Sequence, residues 1–96
     1  MLITTLNNLH TPVHYYIRVR QGTDNANYRF VEYDYRNDVV KLNDGEIMGA
    51  TAFYTLKDAY LIKDKTEMCI DIPNIYIDII RHTVKVSVVT DEIVED

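Results

Sequence analysis

Cys69 and the histidines His10, His14 and His82 are the side chains here whose types could carry nucleophilic or soft-metal chemistry. A nucleophile needs a base within hydrogen-bond reach, and the base needs a group to orient it. Cys69 lies between Met68 and Ile70 in a run that reads as strand, so it is expected as a small core or sub-surface residue. Nothing around it supports a pairing with His82. His10 and His14 are four apart, a helical spacing, but Pro12 between them opposes a helix. In a strand they would lie roughly 13 Å apart, too far to chelate one ion. Asp24-Asn25 and Asn43-Asp44-Gly45-Glu46 are too short for a calcium loop and read as turns. The only serine, Ser87, sits in an apparent strand, and the three glycines are not in a phosphate-cradling order. No catalytic residue, no metal and no cofactor is expected.

A different set of residues could bind rather than react. Eight tyrosines are more than a small core holds easily, because each hydroxyl wants a partner or water. Alternation places Tyr16, Tyr28 and Tyr76, with Phe30, on the outer faces of their strands. Arg18 and Arg20 share that face. Tyrosine and arginine are enriched in protein-binding hot spots, so Tyr16, Arg18, Arg20, Tyr28, Phe30 and Tyr76 form the expected partner-binding patch. The same mixture of rings and guanidiniums could stack single-stranded bases. Glu32 and Asp34 on that face point instead to cross-strand neutralisation of the arginines.

The elements that would position these residues are mostly strands. Ile, Val, Thr and Tyr outnumber Leu, and they favour a pleated surface. Val13, Tyr15, Ile17 and Val19 alternate with His14, Tyr16, Arg18 and Arg20. The run 28–35 is expected to pair with them, Ile17 against Tyr33, Val19 against Val31 and Tyr15 against Tyr35. Arg18 would then face Glu32. The stretch 21–27 is turn chemistry, and 39–42 is a further strand before the Asp44-Gly45 turn.

Residues 46–63 read equally as one helix or two strands. As a helix, with Asp44 as a possible cap, Met48, Ala52, Phe53, Leu56, Ala59 and Tyr60 share a face. Glu67–Ile72 reads as strand. Residues 75–80 and 83–88 form a closing hairpin turned at Arg81-His82. The fold class expected is mainly β, with α+β as the variant. It is a small antiparallel sheet, barrel or sandwich of five to seven strands with at most one helix at about 46–62. Residues 1–90 make one domain and 91–96 an acidic tail.

The hydrophobic fraction of 47% suits a folded domain. The net charge of −5 is mild, and no Lys/Arg cluster forms a general phosphate-binding surface. One cysteine allows no internal disulfide, and no signal peptide or membrane span is read, so a cytoplasmic setting is expected, that of the host cell if the protein is viral. The overall style is similar to that of small phage or mobile-element proteins that bind and block a larger protein, although no motif is shared. The expected function is a non-enzymatic protein-binding module, an inhibitor or regulator. Its partner is another protein or a second copy in a homodimer, with no membrane partner. A single-stranded nucleic-acid binder and a small structural or assembly subunit are the alternatives.

Overall fold

The computed structural model describes residues 13–22, 27–85 and 88–94. His10, Thr23 to Ala26, Ser87 and the last two acids lie outside the described residues, so the His10–His14 pairing falls there too.

Five antiparallel strands form one open sheet in the order β3-β2-β1-β4-β5. They are β1 (Val13–Gln21), β2 (Tyr28–Asp34), β3 (Val39–Leu42), β4 (Ile75–Lys85) and β5 (Val88–Ile93). A 3-10 turn, Ile47–Gly49, and one α-helix, α1 (Leu56–Cys69), lie between β3 and β4. The fold is mainly β with one helix, as the composition implies.

Period-2 alternation decides which side of the sheet each residue takes. Ile17, Val19, Val31 and Ile79 meet Ala59 and Ile62 of α1 together with Phe53, and these seven make the core cluster. The helix starts where the Thr55 hydroxyl accepts from the Asp58 backbone N–H at 3.2 Å, and Asp58 adds negative charge at the N-terminal end of the dipole. Its buried residues Ala59, Ile62 and Thr66 recur at three and four, the period of one helix face. Ala59 and Thr66 are small enough for the helix axis to come close to the sheet. The Thr66 hydroxyl donates to the Ile62 carbonyl oxygen at 2.7 Å, so its burial leaves no unpaired donor.

Several expected elements are corrected. The single helix overlaps the expected span only from Leu56 and runs on to Cys69. Met48 is 96% exposed, in the 3-10 turn. Phe53 is extended, because its backbone exchanges two hydrogen bonds with Tyr15, at 2.7 and 2.8 Å. Residues 67–69 are the last turn of α1 rather than strand, and Cys69 is exposed at its end. Arg81 and His82 are not a turn. They sit inside the eleven-residue β4, bonded to β1 on one side and β5 on the other. Asp91–Ile93, read as tail, are strand residues of β5.

The β1–β2 register is also shifted. Arg18 faces Phe30, Val19 faces Arg29 and Arg20 faces Tyr28. The slip is an even number of residues, so each side chain keeps its expected face. The cause is visible at Thr51 and Phe53. Thr51 N–H donates to the Val31 carbonyl at 3.1 Å, and its hydroxyl accepts from Tyr33 N–H at 2.7 Å. Thr51 and Phe53 therefore occupy positions on β2 and β1 that a longer β1–β2 ladder would have used.

Candidate functional site

The face of the sheet turned away from α1 holds all six residues expected to bind a partner, and it is organised in rows. Within the central strand β1, Tyr16, Arg18 and Arg20 succeed one another on this side. Arg18 lies between Phe30 on β2 and Asp78 on β4. Arg20 lies between Tyr28 and Tyr76. Tyr16 lies beside Ile80, and His14 beside His82. Among the described residues, no helix or strand packs over this face.

Asp78 is the electrostatic centre. Arg20 donates to it through Nε at 2.6 Å and through an Nη at 3.3 Å, and Arg18 donates through an Nη at 3.1 Å. Its Oδ2 accepts from both arginines. The arginine side chains are 18% exposed and that of Asp78 12%. Such charge-assisted bonds in a half-dry setting are stronger than their surface counterparts. Arg18 Nε is buried with no acceptor. The expected Arg18–Glu32 pair does not form across β1 and β2, because Glu32 faces Lys41 of β3 in this register.

The rings complete the surface. Phe30, expected to stand outside, is 6% exposed and is the floor of the patch. Tyr28 meets it edge-on at 5.5 Å and Tyr16 at 6.3 Å, the favoured geometry for aromatic pairs. The Arg18 guanidinium lies 5.4 Å from the Tyr28 ring centre, and that of Arg20 lies 5.3 Å from Tyr76. These are cation–π distances. Tyr76 remains 49% exposed.

Further residues join this surface that the sequence reading missed. His82 stands edge-on to Tyr16 at 5.5 Å and its Nδ1 hydrogen-bonds Asp91 of β5. Burial, then the negative charge of Asp91, pushes the Tyr16 phenol up from its ordinary value. His14 meets Tyr54 edge-on at 5.1 Å. Tyr54 is 73% exposed; Tyr35, 67% exposed, does not join this face, because its ring lies 4.8 Å from that of Tyr33, which packs against the core cluster. Tyr35 was expected in the core opposite Tyr15. β2 ends one residue earlier, where Asp34 Oδ1 accepts the backbone N–H of Arg36 and Asn37 and turns the chain. That Asx turn at Asp34 and the Thr55-x-x-Asp58 capping pattern were the signals available in the sequence.

Cys69 ends the helix on one side of the sheet and His82 stands on the other, so the two are not brought together. Among the described residues, no group of three or more His, Cys, Asp or Glu could hold a metal ion. Two adjoining clefts, of about 520 and 390 Å³, open at the far end of the sheet. Ile72 and Ile75 line both, and neither lining contains a histidine or cysteine. No helix among the described residues is long and apolar enough to cross a membrane. No family model, no curated protein and no solved structure matches the chain.

Proposed function

We infer that this chain is a non-enzymatic protein-binding module that acts by occupying a surface of a larger protein, as an inhibitor or regulator. The observation that supports this most is the aromatic face of the sheet. Tyr16 and Tyr28 meet the buried Phe30 edge-on, Arg18 and Arg20 lie among the rings with the exposed Tyr76 against Arg20, and the exposed Tyr54 stands beyond them against His14. Large, stiff amphipathic rings lose little conformational entropy on binding, and they bury much area per residue.

Asp78 weighs against the nucleic-acid reading. It engages both arginines, and Asp91, Glu32 and Asp34 share the same side of the sheet, so a polyanion would meet a mixed field.

The test is affinity capture from the lysate of the cell in which the protein acts, with wild type beside Tyr76→Ala and Tyr54→Ala. The expected result is one stoichiometric protein retained by wild type, lost by the variants, and held at moderate salt. Retention by both variants, or recovery of nucleic acid that washes off with salt, would overturn the reading.

A further inference from the structure

The sheet ends in two edge strands, β3 and β5. β3 has four residues, and edges that short resist pairing with another chain. β5 has six. Val94 N–H donates to the Ile79 carbonyl oxygen at 2.8 Å, in line with the β4–β5 register. Backbone groups alternate between the two sides of a strand, so Thr90 and Glu92 also turn theirs towards β4. The N–H and C=O groups of Val89, Asp91 and Ile93 therefore point out of the sheet. Among the described residues, no strand takes them. Val89 is 60% exposed and Ile93 49%, and Ile93 stands opposite Ile80 on the aromatic side of the sheet.

An outward row of donors and acceptors beside exposed apolar side chains is a template for a further strand. Charge often closes such an edge. Here the acids of β5 are matched within the chain: Asp91 stands opposite His82 and hydrogen-bonds it, and Glu92 stands opposite Arg81. We propose that β5 pairs antiparallel with β5 of a second copy of this chain, about a two-fold axis through Thr90, joining the two sheets into one. Charge and strand length select that axis. Centring on Asp91 or Glu92 would set two like carboxylates directly opposite, which is destabilising. Centring on Val89 or Ile93 would engage no more than half of Val88–Ile93. With Thr90 on the axis, Val89 faces Asp91, Thr90 faces Thr90, and Val89 lies diagonal to Val89 and Ile93 of the second copy. The axis is perpendicular to the sheet, so the aromatic faces of both copies look the same way. The edge is distinct from that face, and the proposal does not depend on what the face binds.

The test is sedimentation equilibrium of the full chain. Wild type is expected to approach twice the 11.2 kDa chain mass in the micromolar range. Val89→Pro removes an N–H that the single chain does not use, and with it two hydrogen bonds of the seam, so association should weaken about tenfold or more. A second arm leaves the backbone alone. In a Cys69→Ser background, Val89→Cys, Thr90→Cys and Asp91→Cys are each incubated with oxidised glutathione, which takes up the two electrons of disulfide formation. Thr90→Cys is expected to give a covalent dimer and the other two are not, because only on the axis do identical side chains come within disulfide reach. A wild type that stays monomeric, or a dimer that Val89→Pro leaves unchanged, would overturn the proposal. Cross-linking through position 89 or 91 in preference to 90 would overturn the axis. A monomer whose captured protein is lost with Val89→Pro would assign the edge to that protein and overturn the second copy.

Discussion

The Tyr33 hydroxyl donates a 2.5 Å hydrogen bond to Asp38 Oδ1, tying the end of β2 to the residue that turns the chain into β3. Asp38 holds a left-handed backbone with φ of 53°, and Lys65 of α1 reaches it at 3.1 Å. The bond drives the two groups apart in acidity. Sharing its proton with Asp38 pushes the Tyr33 phenol from 10.0 up to about 12. Accepting from Tyr33, and then from Lys65, holds the Asp38 carboxyl below its ordinary 3.8.

A window of pH dependence follows. Folded Asp38 binds a proton less tightly than the unfolded chain does, so its contribution is complete above 3.8 and is lost as pH falls through the lowered value. Folded Tyr33 binds its proton more tightly, so its contribution is complete below 10.0 and is lost as pH rises towards about 12. Asp38→Asn keeps a residue that tolerates the left-handed region. Its denaturant midpoint should fall below that of wild type at neutral pH and converge with it in strong acid. An unchanged gap at low pH would show that the carboxylate is not the source.

Gly45 and Gly22 should respond differently to alanine. Gly45 has φ of 94°, and a Cβ there would lie 2.9 Å from the Tyr28 carbonyl oxygen. Gly22 has φ of 66° and open space around it. Gly45→Ala is expected to cost about 2–3 kcal/mol by urea unfolding, and Gly22→Ala about 1 kcal/mol.

Phe53→Ala should be among the most damaging core changes, at about 3–5 kcal/mol, since the ring is 1% exposed between the sheet and the helix. Thr66→Val is the contrasting case. The hydroxyl satisfies only the Ile62 carbonyl of its own helix, so exchanging it for a methyl should shift stability by less than about 1 kcal/mol. Thermal or denaturant unfolding of the two variants checks both values.

Asp78→Asn leaves two arginines facing a neutral amide. Complete burial would make this loss about 3–5 kcal/mol, and the residual exposure of the three groups reduces it to about 2 kcal/mol. Arg18→Met added to Asp78→Asn should restore part of the loss, a non-additivity that a double-mutant cycle measures.

The sides of the strands were readable, and their neighbours were not. Alternation in Val13–Gln21 and Tyr28–Asp34 assigns Ile17, Val19 and Val31 to one side and Arg18, Tyr28 and Phe30 to the other under any even register. The register itself depends on Thr51 and Phe53, which arrive from beyond β3 and which no local pattern places there. Arg18 finds its acid 60 positions along the chain, in β4, where a nearer acid in β2 was the plausible partner. The helix was misplaced because Met48, Ala52 and Phe53 mimic a helical stripe, whereas Thr55 and Asp58 mark its true start. Cys69 was misjudged for the same reason, since it closes that helix.

The longest ladder in the sheet joins β1 to β4, from Val13 with Thr83 to Gln21 with Ile75. It is a seam between strands far apart in the chain, while β1–β2, β2–β3 and β4–β5 pair consecutive strands. Most of the entropy lost in bringing distant segments together is therefore concentrated in one event, with the reward arriving only once the seam closes. The pairings of consecutive strands and α1 can take shape early, and the docking of β4 onto β1 is the step expected to limit the folding rate. The aromatic face, which draws Tyr16, Arg18 and Arg20 from β1 and Tyr76 and Asp78 from β4, does not exist until that step is complete.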